Sequence, residues 1–257
     1  MRTVGSILIA ALATIALVSC GSDVAAPTGY APGQTVEAYA YTHGGYVGQA
    51  VVTTDDAGSI DVTLDEAFLP HSLAIVDIES DQWNEDNTAS YVQRGDTVYV
   101  ARYIAYDGTN YTGTTVGTSL VYVASDEQGN AAGNTELEKA ILRNESTMAN
   151  WYDVIEAGGF QIFTEFGGEP IPVTTTEYGS VTKRGSEYWN FGIGWTGNIE
   201  AIEEAAQQFG VSYSLDELER GSDNFWSVAD ATTGATASDF PDYFALIQQA
   251  VARLAVQ

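Results

Sequence analysis

The run Asp230-Ala231-Thr232-Thr233-Gly234-Ala235-Thr236-Ala237-Ser238, close to the C-terminus, combines hydroxyls, one glycine and two acids or caps at a chain turn. Gly234 permits a sharp turn or a close approach by another molecule. Ala235 is small and leaves the neighbouring Thr236 hydroxyl open. Ser238 before Asp239 is a helix N-cap signal, and Pro241 suits the first turn of the helix that follows. A phosphate esterified to Thr236 would lie just before that helix, where free N–H groups and the positive end of the helix dipole favour an anion. Threonine is a poor nucleophile at its own pKa and needs a base to attack a phosphoryl centre. No His or Lys stands beside Thr236, so the base must come from outside the chain. The plain alternative is a helix-capping turn with no ligand.

Other residues offer less. His43 and His71 are far apart, both read as loop residues, and they form no i, i+4 metal pair. H-E-x-x-H, G-x-S-x-G and the phosphate-binding G-x-x-x-x-G-K are absent. Nothing selects two of the many carboxylates as an acid–base pair. Asp81-Gln82-Trp83-Asn84-Glu85-Asp86-Asn87 is acidic but lacks the spacing of a calcium loop and reads as a solvated loop.

The run D-A-T-T-G-A-T, followed by one final helix, resembles the acceptor motif of the flavin mononucleotide (FMN)-binding domain family. The opening strand, acidic Gly-containing turn and strand of residues 46–70 resemble the first hairpin of those domains more faintly. The resemblance implies that a flavin transferase attaches FMN through its phosphate to Thr236. The chain would then be the substrate of that reaction and a non-catalytic electron carrier. It also implies a flavin site of Thr236, Asp230, Thr233, Gly234, Ala235, Ser238 and Trp226, with Asp230 orienting the turn. An unidentified redox partner follows.

The flavin ring needs apolar and aromatic walls. Candidates are Phe225 and Trp226 just before the motif, and Tyr188, Trp189, Phe191 and Trp195 in a Gly-interrupted segment. Aromatic clusters more often fill cores, so each of these has an equally ordinary packing role.

Residues 1–19 read as an export signal. Arg2 supplies a basic start, and Ile7 to Val18 is an apolar run short for a bilayer span. Leu17-Val18-Ser19-Cys20 resembles a bacterial lipobox, which implies lipidation at Cys20 and a membrane-anchored protein in the bacterial cell envelope, facing outside the cytoplasm. Cys20 is the only cysteine, so no intramolecular disulfide, Cys-based metal site or Cys nucleophile can form. Residues 20–36, rich in Gly, Ala, Pro and Ser, read as a flexible tether.

Lys plus Arg number 9 against 35 Asp plus Glu, a net charge of −26. Such a surface repels nucleic acid and anionic headgroups, so no nucleic-acid partner is expected. Solubility in a salty habitat accounts for the charge; docking to a basic redox partner is the functional alternative.

The expected fold class is α+β, antiparallel-sheet modules with packed helices, with the possibility of two related FMN-binding-like modules left open. Residues 37–134 read as a β-rich N-terminal module, with strands over Val47–Thr53, Ser59–Leu64, Ser72–Ile78, Ala89–Val92, Thr97–Tyr106 and Ser119–Ala124. Residues 135–257 read as an FMN-binding-like C-terminal module. It should hold helical segments within Thr135–Ala157, broken near Asn144, strands at Phe160–Thr164 and Pro172–Thr176, and helices over Asn198–Phe209 and Asp239–Val256. Ser214-Leu215-Asp216-Glu217 has a capping-box pattern. The string Asp107 to Thr115 faintly echoes the acceptor motif and reads as a β-turn rather than a second flavin site. The competing functional class is a cofactor-free surface lipoprotein that binds a protein or glycan partner through its β-rich half.

Overall fold

A computed structural model describes residues 29–42, 45–173, 179–184, 186, 188–189, 191–228 and 231–256. The export signal, Cys20, His43 and Asp230 lie outside them. The chain is α+β with antiparallel sheets, 24% helical and 37% strand.

Strands β1 (Thr35–Thr42), β2 (Tyr46–Thr54) and β3 (Ile60–Ala67) form one antiparallel sheet in that order. Asp55 Oδ1 accepts the N–H groups of Ala57 and Ser59, each at 2.8 Å, and Gly58 takes φ 77°, which closes the β2–β3 turn. Both faces of this sheet are buried, and residue parity decides which core each side chain enters. Tyr39, Val47 and Ala67 enter one core. Ala38, Ala50, Val52, Val62 and Leu64 enter the other.

A short helix α1 (Pro70–Leu73) follows, where a strand over Ser72–Ile78 was expected. Pro70 sits in its first turn with φ preset for a helix, and only Ile75 makes a β-bridge, to Val100. His71 therefore lies on a helix rather than in a loop. Strands β4 (Thr88–Gln93) and β5 (Asp96–Ala101) pair as a hairpin around Arg94 and Gly95, at φ 53° and 98°. The expected strand Thr97–Tyr106 is split at Arg102, and β6 (Tyr103–Tyr106) leaves for a different sheet. That sheet has the order β10-β6-β7-β8-β9. It contains β7 (Thr109–Val116), β8 (Ser119–Ser125), β9 (Ala131–Glu136) and, later in the chain, β10 (Phe160–Phe163). Between β9 and β10 run α2 (Leu137–Ile141) and α3 (Glu145–Glu156). The break between them is the capping box of Asn144 and Thr147. Ile171 bridges Ile162 just before the expected strand Pro172–Thr176, whose residues 174–176 lie outside the described ones.

Helix α4 (Gly194–Phe209) starts one turn earlier than its apolar stripe suggests. A 3-10 turn at Leu215–Glu217 carries the expected capping box on Ser214. Then β11 (Leu218–Arg220), β12 (Trp226–Val228) and β13 (Ala231–Thr232) make a small sheet, and α5 (Phe240–Val251) closes the domain. The N-cap of α5 is Asp239 without a side-chain cap bond, not Ser238.

The first core includes Phe68, Leu73, Ile104, Tyr122, Trp151 and Phe160. The second packs β1–β3 against α4 and α5 through residues such as Leu64, Ile199, Ile202, Phe240, Phe244 and Ile247. Each such fully buried apolar side chain contributes about 1.5–3 kcal/mol. A division at residues 134/135 therefore does not separate the cores: β1–β3 stand between them and serve both. The segment before β1 is also engaged. Tyr30 bridges Val256, the Ala31 N–H donates to the Ala255 carbonyl at 2.9 Å, and Gln34 Nε2 donates to Ala31 O and Ala255 O.

One charged pair lies where the two cores meet. Lys183, 3% exposed, is 2.6 Å from the carboxylate of Glu66, 0% exposed. The indole N–H of Trp195 and the Thr42 hydroxyl also donate to Glu66. Lys183 Nζ sits 3.3 Å from the Tyr46 ring centroid and 4.1 Å from that of Tyr188. With these neighbours the pair is compensated; removing one partner would leave a buried charge and cost about 3–5 kcal/mol.

Candidate functional site

The motif folds as an irregular strand laid beside β12. The Thr233 N–H donates to the Trp226 carbonyl at 2.7 Å, and the Trp226 N–H donates to the Ala235 carbonyl at 3.0 Å. Side chains alternate along it. Thr233, Ala235 and Ala237 are buried, whereas Gly234 and Ser238 are exposed and Thr236 is half-buried. Ala235 is fully enclosed in the second core, so its small size serves packing as well as access to Thr236. Thr233 Oγ1 accepts the Ala235 N–H at 3.2 Å and braces the bend. Gly234 does not take a positive φ. A Cβ there would come 3.1 Å from the Ala201 Cβ of α4, so close approach rather than turn geometry explains the glycine.

Thr236 lies at the edge of a cleft of about 560 Å3, a volume within the usual ligand-site range. Trp189, Phe191, Ile193 and Phe225 make its apolar wall, and Arg220, Asp223 and Asn224 supply polar groups. Phe191 is 82% exposed, with Trp189, Ile193 and Phe225 also open to solvent. Apolar rings clustered at this exposure are seldom left uncovered without a use. Trp189 holds φ 47°, and Gly192 and Gly194 are likewise positive, so the segment bends tightly before entering α4. Ile193, the N-cap of α4, lines the same cleft, while the Gly194 and Trp195 N–H groups are bonded back to the Phe191 and Trp189 carbonyls at 3.0 and 2.9 Å.

The remaining aromatic candidates are elsewhere. Trp195 is in the core, donating to Glu66 and to the Tyr243 hydroxyl. Trp226 does not line the cleft. Its ring stacks on Phe240 at 5.4 Å and its indole N–H donates to the Ala237 carbonyl at 2.6 Å, because β12 turns that face inward. Tyr188 packs edge-on to Tyr46 and Phe68. Ser238 lines the cleft; Asp230 lies outside the described residues.

Sequence reasoning missed two residues. Arg220 Nη2 donates to the Thr236 carbonyl at 2.8 Å, and its Nε donates to the Asn224 carbonyl at 3.2 Å. It is the only cation among the described lining residues. The β11–β12 hairpin brings it there, pairing Arg220 with Trp226, and no linear spacing reveals that. Asn198 is the second, 1% exposed, with its side-chain carbonyl against Thr236 and Ala237. A signal existed: Asn198 lies on the same stripe as Ile202 and Ala206, and a polar residue on an apolar stripe requires partners.

The acid next to the motif is perturbed. Burial pushes the Asp239 carboxyl above its ordinary range, the nearby Glu66 charge adds to this, and Lys183 opposes it. Burial likewise raises Glu203 on α4, against the Leu64 N–H and Arg184.

The second string, Thr112 to Thr115 on β7, borders a groove of about 650 Å3 with Thr88, Ser90, Tyr99, Arg102 and Tyr103. Asp107 and Gly108 form the turn of the β6–β7 hairpin, and the rest of the echo is strand rather than turn. Thr112 is buried, its hydroxyl bonded to Ser125 and to the Gly129 carbonyl.

Among the described residues no helix is long and apolar enough to cross a membrane. Comparison with protein-family models, with curated proteins and with solved structures gives no match, so the cleft at Thr236 has to be interpreted from its own geometry.

Proposed function

We propose that this chain is a membrane-tethered, extracytoplasmic flavoprotein that carries FMN on Thr236 and relays electrons. The observation that carries the proposal is the meeting of three features in one cleft: the acceptor hydroxyl, Arg220 and the exposed rings of Trp189, Phe191 and Phe225. The cation favours a phosphate, and the rings offer an isoalloxazine its apolar wall. When bound, the flavin supplies reversible electron transfer. The chain's residues hold it, shield one face and leave the cleft open for a redox partner. Cys20, by its lipobox-like setting, is the lipid anchor.

Attachment needs an activated phosphoryl donor, a flavin dinucleotide. Thr236 Oγ1 forms a bond to the flavin-side phosphorus, the bond from that phosphorus to adenosine monophosphate breaks, and the hydroxyl proton passes to a base of the transferase. No electrons change hands.

The test is to produce the chain with a flavin transferase and digest it. The expected result is yellow colour that survives denaturation and a mass gain of one FMN on the peptide bearing Thr236, lost in Thr236→Ala. A bare Thr236 in the presence of an active transferase would overturn the proposal. The β7 groove supports a second reading, a glycan site: its hydroxyls and tyrosines suit a neutral saccharide. Calorimetric titration with oligosaccharides that gave binding reduced by Tyr99→Ala, together with an unlabelled Thr236, would favour it.

A further inference from the structure

We infer that Asn198 is the positioning residue of the acceptor hydroxyl, fixing Thr236 before transfer and the same residue's backbone afterwards. This rests on Thr236 being the flavin acceptor.

Asn198 lies one turn inside α4 and is 1% exposed. Its Nδ2 donates to the Gly194 carbonyl at 2.7 Å, which sets the orientation of the amide. Only Oδ1 can then face the motif. It accepts the Thr236 N–H at 2.6 Å, the Ala237 N–H at 2.8 Å and the Thr236 hydroxyl at 3.2 Å. A carbonyl oxygen has two lone pairs, so the two N–H donors fill it and the hydroxyl shares it as a third, longer contact. A structural role alone would need only the two backbone bonds, which hold the chain. The third is spent on the side chain that does the chemistry. With its hydrogen directed at Asn198, the Thr236 oxygen turns its lone pairs away from α4, toward the cleft that Arg220 borders.

The three bonds also differ in a way that suits transfer. The hydroxyl contact, at 3.2 Å, is the longest of the three, so little is lost when an external base takes that hydrogen. The two N–H contacts persist once the hydroxyl has become an ester oxygen. Asn198 has no basicity to take the proton itself; it acts by orientation. Misplacing a reacting group by about 1 Å can cost about 10²-fold in rate. The effect should therefore appear in the turnover of transfer rather than in recognition of the protein acceptor, whose surface is unchanged.

The experiment uses the full chain, wild type and Asn198→Gln and Asn198→Ala, with each variant's melting temperature measured first. Asn198→Gln keeps the amide and moves its carbonyl by one methylene, so it guards against an unfolded Asn198→Ala. Two readouts are taken. In the unmodified protein, three-bond couplings report the Thr236 χ1 rotamer; a single rotamer is expected in the wild type and averaging in the variants. With transferase, flavin adenine dinucleotide and Mg2+, kcat for labelling should fall roughly ten- to hundredfold in folded variants, with KM for the acceptor chain within about twofold. A variant that melts above the assay temperature and labels at the wild-type kcat would overturn the inference, as would an averaged rotamer in the wild type. If the wild type shows a single rotamer but takes no flavin, the acceptor assignment fails and the clamp on Thr236 stands.

Discussion

Two threonine–glycine strings of this chain look alike and are built to opposite ends. Thr112-Gly113-Thr114-Thr115 and Thr233-Gly234-Ala235-Thr236 each border a cleft of several hundred Å3 and each lie against an arginine, Arg102 or Arg220. In the first, the ladder to β8 absorbs the backbone and the buried Thr112 hydroxyl is fully engaged. Arg102 spends its guanidinium on the carbonyls of Thr88 and Glu85. In the second, Trp226 of β12 takes up the Thr233 N–H and the Ala235 carbonyl, the Thr236 and Ala237 N–H groups run to one buried asparagine, and the terminal hydroxyl, held only by that asparagine at 3.2 Å, stays at the cleft edge. Composition is shared. What separates the strings is whether the neighbouring elements use up the polar groups or present them.

The largest expected contrast is all or none. On the proposed function, replacing Thr112, Thr114 and Thr115 together with alanine should leave flavin labelling by the transferase intact by mass, and Thr236→Ala should abolish it. Next come the glycines. A Cβ on Gly113 would stand 2.9 Å from the Tyr122 ring, in a well-packed core, so Gly113→Ala should cost about 1–3 kcal/mol in denaturant unfolding. Gly234→Ala meets only the Ala201 methyl at 3.1 Å and needs no forbidden backbone, so it should cost less than about 1 kcal/mol. Equal losses would dissolve the distinction drawn between ladder and loose strand.

A pH series sharpens the comparison further. Asp65, on the first-core face of β3 beside Tyr152, and Glu203 and Asp239, beside the second core, are held above their ordinary values, burial being the main cause in each. Protonated more readily in the fold than in the unfolded chain, they contribute stability that is fully present below the unfolded values of 3.8 and 4.5 and is lost as pH rises through the folded ones. Glu145 works the other way: burial raises it, but Arg253 and the Tyr39 N–H bring it below its usual range. The melting temperature should therefore rise by a few degrees on mild acidification, and Asp239→Asn should flatten the rise. The smallest effect concerns Arg220. Removing its charge in Arg220→Gln should lower the potential of the bound flavin by roughly 10–20 mV, the equivalent of about 0.5–1 kcal/mol for a two-electron couple. A redox titration that found no change would place the guanidinium's influence on the phosphate alone.

Local signals in the sequence were reliable where one residue decides the outcome. Ser214 caps a helical turn as its spacing predicts, the helical run breaks at Asn144 as expected, Gly210 ends α4, and Asp55 to Gly58 closes a hairpin. The Ser72–Ile78 strand failed because Pro70 starts a helix that the apolar run then follows. Trp226 was misplaced because a residue's face in a three-residue strand depends on which neighbours cover it. Thr236 and the ring wall of Trp189, Phe191 and Phe225 could be named in advance from residue type. Their convergence could not, since it depends on Arg220 and Asn198, which arrive from a hairpin and a helix distant in sequence. The division into modules was illegible for a similar reason: β1–β3 alternate into two cores, and only α4 and α5, late in the chain, show what covers their second face.

The clasp of Tyr30, Ala31 and Gln34 with Ala255 and Val256 has a mechanical corollary. Both ends of the folded body emerge side by side, so joining residue 256 to residue 30 through a brief glycine linker and reopening the chain at the Arg94–Gly95 hairpin tip should yield a circular permutant with the same topology. Force exerted on the leading end would peel this seam first and spare the cleft at Thr236.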